Sequence, residues 1–184
     1  MKQLPIGVST LEKIINGDYI YVDKTPHIQT LLNSGSYYFL SRPRRFGKSL
    51  LVDTLHQLFA GNEALFKDLH IYSHWDWSVK YPVIKLSFGA GNLRDYGEFK
   101  RSAKHLLRTN QQRLNVQCDE HEDIGIWFDD LIRKVKAKYE QNVVVLVDEY
   151  DKPILDNIND PELAAEMRNG LRNLYSVIKD NDAN

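Results

Sequence analysis

Five consecutive apolar residues, Val143 to Val147, run straight into Asp148-Glu149. A strand with one face in water alternates apolar and polar side chains, so an unbroken run is the composition of a strand covered on both faces. Strands of that kind belong to parallel sheets, whose crossovers are long enough to hold a helix. The rest of the chain supplies the parts. Tyr37-Tyr38-Phe39-Leu40, after the turn-like Asn33-Ser34-Gly35-Ser36, predicts a second buried strand. Tyr81 to Phe88, bounded by Pro82 and by Gly89-Ala90-Gly91, predicts a third. A short helix is expected over Ile28 to Leu32. Apolar residues at Leu50, Leu51, Leu55, Leu58 and Phe59, with Gly61 beyond them, predict an amphipathic helix with a glycine stop. Two further stripes, through Phe99, Ala103, Leu106, Leu107 and Leu114 and through Trp127, Phe128, Leu131, Ile132, Val135 and Tyr139, each predict a helix with one buried side. The last helix should open at Asp160-Pro161 and carry Leu163, Met167, Leu171, Leu174 and Ile178 inward. Strands alternating with helices make the expected fold α/β, with a mostly parallel sheet.

Composition narrows the class. At 184 residues and 42% hydrophobic, the chain can bury roughly 70% of the surface its unfolded form exposes, so it needs no disulfide or metal staple. With no repeat and no linker-like stretch, one domain over residues 1–184 is the expectation. Lys and Arg number 24 against 25 Asp and Glu, which excludes a global basic field for nucleic acid and leaves only a local patch. A single cysteine, Cys118, excludes an internal disulfide and a multi-cysteine metal centre and fits a reducing compartment. No apolar stretch reaches ~18 residues, and the N-terminus lacks a signal-peptide pattern. A cytoplasmic protein without a membrane partner is expected.

The chemistry-bearing segment is YYFLSRPRRFGKSLLVDTL, an apolar run, a loop ending in Gly47-Lys48-Ser49, then a helix. This is the setting of a P-loop, or Walker A motif. At the start of that helix the backbone N–H groups of Phe46 to Leu50 have no helical acceptors, and the helix dipole adds partial positive charge; a phosphate satisfies both. Gly47 would let the backbone approach the phosphate. The Lys48 ammonium would lie against the β and γ oxygens, and the Ser49 hydroxyl would ligate Mg²⁺. The loop departs from GxxxxGK[ST] at its first glycine, where Arg42 stands, with Pro43 beside it. A bare Gly-Lys-Ser/Thr arises by chance in roughly one chain in ten of this length. VVVLVDE, about a hundred residues on, adds what the tripeptide lacks: as a Walker B strand it would place Asp148 to hold Mg²⁺ through water and Glu149 to deprotonate the attacking water. Arg44 and Arg45, with Arg42 and Lys48, put four cations in seven residues, which could grip nucleotide phosphates, grip nucleic acid, or form a solvated basic turn.

Other residues carry less. His70 and His74 have helical metal-ligand spacing but no third ligand in view, which favours packing or surface roles. Cys118 and His121 lie in CDEHED, which reads as a solvated acidic loop rather than a catalytic pair. Asp151 and Lys152 are candidates for a local ion pair, for contact with a γ-phosphate-sensing element, or equally for turn chemistry ahead of Pro153.

Four motifs, YVDKT at Tyr21–Thr25, SRPRRFGKSL at Ser41–Leu50, YPVIKLSF at Tyr81–Phe88 and VDEYDKPI at Val147–Ile154, make most of the chain resemble the predicted AAA-ATPase-like domain family of bacteria and some archaea. The arginine-rich loop fits that family. The resemblance implies a P-loop NTPase of the AAA-like ASCE branch, three-layer α/β/α, and ATP and Mg²⁺ as cofactors. It implies ATP binding by the Arg44-Arg45-Phe46-Gly47-Lys48-Ser49-Leu50 loop, Mg²⁺ held by Ser49 and Asp148, and catalysis by Glu149 and Lys48. It also implies longer relatives with a C-terminal PD-(D/E)XK nuclease-like domain, through which nucleic acid would be a partner, and by analogy a homo-oligomer. In that branch the strand order is 5-1-4-3-2; strands 1, 2 and 3 are visible and the chain ends before strand 4, so an N-terminal part of the ATPase region is expected. Whether such a part is an enzyme by itself is left open, since hydrolysis would need the elements beyond it. Segment 19–25 is a candidate adenine pocket or a packing segment. The alternative function is a non-catalytic module whose basic loop holds nucleic acid or a protein partner.

Overall fold

The structure is a computed structural model, described for residues 2–43, 45–91 and 93–181. The chain gathers into two compact units, residues 1–80 and residues 81–184. The first unit holds α1 (Leu11–Asn16), α2 (Thr25–Leu32) and α3 (Lys48–Phe59), followed by 3-10 turns at Glu63–Phe66 and His70–His74. Leu11, Ile14, Ile28, Leu55, Leu58, Phe66 and Ile71 are its buried apolar residues among the described ones. Buried carboxylate and hydroxyl groups tie the short helices together. Thr10 makes no side-chain cap on α1; instead the Leu11 N–H donates to Asp53 Oδ2 of α3 at 2.8 Å, an orphan helix donor satisfied from another helix. Asp23 accepts from the Thr25 N–H at 2.8 Å, from the Thr25 hydroxyl at 2.7 Å and from the His70 N–H at 2.7 Å. Partial burial opposes ionisation of Asp23, but those N–H and O–H donors outweigh it and hold its pKa below the ordinary value.

The expected buried strand at Tyr37–Leu40 is not formed. The segment joins no ladder among the described residues, and its side chains are 54%, 45%, 71% and 39% exposed in chain order. A strand is a pairing, and apolar composition cannot supply the neighbour; the sheet consists of two strands found elsewhere. The Tyr38 hydroxyl folds back on the end of α2, donating to the carbonyls of Leu31 and Gly35. The next expectation holds: α3 runs through the predicted stripe and Gly61 follows in a left-handed conformation.

In the second unit, β1 (Val83–Ser87) pairs in parallel with β2 (Val144–Asp148), from Val83 opposite Val144 to Ser87 opposite Asp148. The elements between and after them are α4 (Tyr96–Arg113), α5 (Ile124–Tyr139), α6 (Lys152–Leu155) and α7 (Pro161–Asp180). The last helix opens as expected, with the Asp160 carboxylate accepting from the Leu163 N–H and Pro161 in the first turn. Ile84 and Leu86 of β1, joined by Val145 and Val147 of β2, pack into one cluster with Phe99, Leu107, Trp127, Phe128, Leu131, Met167 and Leu171. At Gly170 a Cβ would meet Phe99 at 2.6 Å and Tyr96 at 2.8 Å, so glycine lets α7 approach α4 closely. The fold is thus mixed helix and strand with a small parallel sheet, consistent with α/β. The expectation that Val143–Val147 is covered on both faces is corrected: every residue of β2 is only half-buried. The reason lies in the pleat. Alternate residues face the helices, and with β1 on one edge only, the other edge of β2 has no strand beside it among the described residues.

Hydrogen-bond parity shows which edge is closed. The Val144 N–H donates to Pro82 O and the Phe88 N–H to Asp148 O, so residues 82, 84, 86 and 88 spend their backbone on β2, and Val83, Lys85 and Ser87 point outward. Asn110 of α4, almost fully buried, fills the outer edge as a strand would: its Oδ1 accepts from the Lys85 N–H at 2.9 Å and its Nδ2 donates to the Lys85 carbonyl at 2.8 Å. Arg113 donates to the Val83 carbonyl beside it. By the same parity Val145 and Val147 point their N–H and C=O groups away from β1, and these have no hydrogen-bond partner among the described residues. One edge of the ladder is covered at Lys85 and Val83 by side chains of a helix, and the other has no such cover among the described residues. No helix among the described residues is long and apolar enough to cross a membrane.

Two measurements check this account. Asn110→Ala leaves both Lys85 backbone groups without their partner and should lower the unfolding free energy by about 2 kcal/mol in denaturant titration. Asp123 caps α5 through the N–H groups of Gly125 and Ile126 and accepts from Asn173 at 3.0 Å. Burial opposes its ionisation, but these donors prevail and depress its pKa below 3.8. A depressed carboxylate stabilises the fold above its unfolded pKa, and that stabilisation is lost as pH falls below about 4 through the folded value. Asp123→Ala should therefore cost about 1 kcal/mol at pH 7, with the difference from wild type shrinking toward pH 3 in thermal melts.

Candidate functional site

The sequence-predicted site residues fall in two groups, one in each unit. In the first unit the chain enters α3 through a loop with two left-handed residues, Arg45 at φ 69° and Gly47 at φ 76°. At Gly47 a side chain would cost about 1–2 kcal/mol, and a Cβ there would have nothing within 4 Å. The backbone turn favours glycine and leaves clear space above it among the described residues. Arg45 takes the same conformation with a full side chain, a strain of about 1–3 kcal/mol that persists only where the surroundings enforce it.

Inside α3 the first backbone bond runs from the Leu51 N–H to Gly47 O at 3.0 Å. The N–H groups of Lys48, Ser49 and Leu50 therefore precede the ladder, and they have no acceptor among the described residues; no side chain caps them. The helix dipole places partial positive charge at the same point. The Lys48 ammonium donates to the Arg42 carbonyl at 2.9 Å. Arg42 holds the position of the motif's first glycine, so the lysine closes the loop end to end. Arg42, Arg45 and Phe46 are exposed, Phe46 by 62%, while Lys48, Ser49 and Leu50 are half-buried. Arg44 lies outside the described residues.

In the second unit both candidate carboxylates stand where β2 ends. Asp148 is its last residue, opposite Ser87, and the Phe88 N–H donates to its carbonyl at 3.2 Å. Glu149 leaves the strand in a left-handed conformation, φ 53°, with its N–H on Asp148 Oδ1 at 3.0 Å and its side chain exposed. The turn that bends the chain out of the sheet thus begins on the residue that carries the second carboxylate. In parallel α/β sheets the carboxyl ends of the strands are where ligands bind. The first group offers unsatisfied N–H donors and a cation, the chemistry that holds an anion. The second offers two adjacent carboxylates, the chemistry that holds a divalent cation or takes a proton.

The remaining candidates resolve into structure. His70 and His74 stack on each other with centroids 4.2 Å apart, both exposed, with His74 Nδ1 bonded to the His70 carbonyl. No group of three or more metal-ligating side chains exists among the described residues. Cys118 is buried, and burial pushes its thiol up to about 11; His121 spends Nδ1 as acceptor for the Asp123 N–H. Lys152 pairs with Asp156 one helical turn on, not with Asp151, and also donates to Gly91 O at 3.0 Å. In segment 19–25, Asp23 and Thr25 hold the 70–74 turn, and Thr25 is fully buried. Sequence reading treats Gly89 as strand punctuation only; a Cβ there would lie 3.3 Å from Glu149 Cγ. The available signal was the spacing from each strand to its end, which puts Gly89 beside Glu149 once the strands pair in parallel.

The chain belongs to the family described as predicted AAA-ATPase, whose model matches residues 5–184. A protein of Azotobacter chroococcum mcd 1, described as an uncharacterized protein in the vnfD 5′ region, is 55% identical over 183 residues, which make up 99% of this chain and 35% of that relative. The chain thus spans about a third of the relative's length. No solved structure matches the chain. Membership supports nucleotide binding as the general class of activity.

The assignment of Cys118 to packing has a direct check. A buried thiol with its pKa near 11 should react with a disulfide reagent at pH 8 at least tenfold more slowly than the unfolded chain does, and Cys118→Ala should leave any nucleotide binding unchanged.

Proposed function

We propose that this chain is the Mg-ATP-binding part of an AAA-like P-loop ATPase. The observation that carries the reading is the entry to α3: a left-handed glycine with open space above it, three N–H groups without acceptors, and a lysine reaching across the loop. These fit a polyphosphate. On binding, Lys48 exchanges the Arg42 carbonyl for phosphate oxygens, and the amides of Phe46 to Leu50 donate to them. Ser49 and Asp148 would hold Mg²⁺, which neutralises charge on the phosphates. Glu149 is the general base: its carboxylate takes a proton from water as the water oxygen bonds to the γ phosphorus and the bond to the β–γ bridging oxygen breaks. Arg44 and Arg45 extend the cationic lining.

The open edge of β2 supports the wider fold of this reading. With Asn110 and Arg113 occupying the Lys85 backbone and the Val83 carbonyl, the edge beyond Val145 and Val147 is the one open to growth. In the 5-1-4-3-2 order, β1 and β2 are strands 2 and 3, a fourth strand takes that edge, and the exposed Tyr37–Leu40 run pairs beyond it as strand 1. Turnover in this reading belongs to a longer protein in which those pairings are complete.

A second reading rests on one observation. An exposed Phe46 between Arg45 and Lys48 is an aromatic face among cations, the arrangement that stacks a base and holds its phosphates. That module would bind nucleic acid through the loop without Mg²⁺.

One experiment separates them. Thermal unfolding is followed with and without Mg-ATP for the wild type and Lys48→Ala, and turnover is measured in the longer protein with Glu149→Gln. Ligand at 100 times its dissociation constant should add about 2.7 kcal/mol of stability to the wild type and none to Lys48→Ala. Glu149→Gln should keep binding and lose turnover by at least about a hundredfold. Tight Mg-ATP binding by Lys48→Ala overturns the ATPase reading. Salt-sensitive nucleic-acid binding indifferent to Mg-ATP and lost in Arg45→Ala transfers the loop to the second reading.

A further inference from the structure

Glu149 is an exposed residue in a conformation that side chains avoid, so something must hold it there. The chain leaving β1 provides the support. The Phe88 N–H donates to Asp148 O at 3.2 Å, which brings Gly89 beside Glu149 in a close fit: a Cβ on Gly89 would lie 3.3 Å from Glu149 Cγ and 3.9 Å from its Cβ, so the Glu149 side chain would have to give way to it. Two side chains from the far side of Glu149 then grip the same segment. Lys152 Nζ donates to Gly91 O at 3.0 Å while paired with Asp156, and the buried Asn157 donates through Nδ2 to Leu93 O and to Pro153 O. The Lys152 N–H closes the turn on Glu149 O at 3.1 Å. Glu149 therefore sits beside the Gly89 backbone, in a turn latched to that same segment.

We propose that Gly89 and Lys152 are positioning residues for Glu149: Gly89 sets where its side chain can lie, and Lys152 holds the Gly89–Gly91 backbone against it. The proposal rests on the reading of Glu149 as the general base. Its physical content is a separation of function from stability. Because Glu149 is exposed, its side chain escapes an added methyl by changing rotamer at little cost to the fold, but the carboxylate leaves the place where it meets the attacking water. Displacement of a reacting group by about 1 Å is enough to cost up to a hundredfold in rate. The Lys152 ammonium is spent on Gly91 O and on Asp156, so its loss acts through the latch.

The test compares wild type, Gly89→Ala, Lys152→Ala and Lys152→Arg in the longer protein, measuring kcat by phosphate release, nucleotide Kd by titration and Tm by thermal melting. Gly89→Ala should lower kcat by about tenfold or more with Kd and Tm unchanged. Lys152→Ala should lower kcat by a smaller factor, and Lys152→Arg, which keeps a donor for Gly91 O and a cation for Asp156, should restore it. Full kcat in Gly89→Ala overturns the proposal and leaves the ATPase reading standing, as does a loss of kcat matched by a loss of Tm. A wild type that binds no Mg-ATP, or Glu149→Gln turning over at the wild-type rate, overturns both.

Discussion

The backbone ladder between β1 and β2 is the constraint from which the second unit follows. Each parallel bond fixes a residue of one strand opposite a residue of the other, so once Val83 meets Val144 the side chains of Ile84, Leu86, Val145 and Val147 share one face. That face is apolar and needs cover. Helices α4, α5 and α7 bring Phe99, Trp127, Phe128, Leu131, Met167 and Leu171 to it. The same register ends both strands together, which puts Ser87, Asp148 and Glu149 at one rim. The chemistry at the rim is therefore a consequence of pairing, not of any local propensity for a functional turn.

Two strands leave two edges, and the chain treats them differently. A carboxamide presents an N–H and a C=O spaced like those of a peptide, and Asn110 turns one of its N–H groups and its oxygen on Lys85. This closes the outer edge of β1 with a side chain from a helix that already packs on the strand. The edge of β2 carries no such cover among the described residues, and the valine side chains along it are only half-buried. An open edge beside a closed one gives the sheet a direction of growth. In the first unit the apolar run Tyr37–Leu40 is exposed and joins no ladder among the described residues.

The α3 entry shows how a short stretch of sequence leaves helix donors free of side-chain caps. A helix can begin anywhere that its first N–H groups are tolerated, and most helices cap them with a side-chain oxygen. Here the residue before the helix is a left-handed glycine, which has no side chain to offer, and the donors remain available. Lys48 adds a charge at the same place and spends it on the loop's own carbonyl. In the other unit, Glu149 takes the strained conformation that turns the chain out of the sheet and is braced by Gly89 and by the Lys152 latch.

Much of this was legible before any coordinates. Periodicity located α3, α4, α5 and α7, because burial of one stripe is a local property of a repeating helix, and Asp160-Pro161 and Gly61 marked ends that obey short-range rules. Gly47-Lys48-Ser49 and Asp148-Glu149 could be picked out because their chemistry is tied to residue type and spacing. What the sequence could not decide was pairing. Val143–Val147 and Tyr37–Leu40 look alike as apolar runs, yet one is a strand and the other is not, since a strand exists only when another segment answers its N–H and C=O groups. Asn110 reads as a polar residue on a helix until Lys85 is placed beside it, and Gly89 reads as punctuation until the register brings it to Glu149. The sequence by itself determined the helices, their ends and the candidate chemistry, all of which depend on neighbours within a few residues. Only the tertiary structure decided which apolar runs pair, which edge is sealed and what braces Glu149, because those depend on groups brought together from distant parts of the chain.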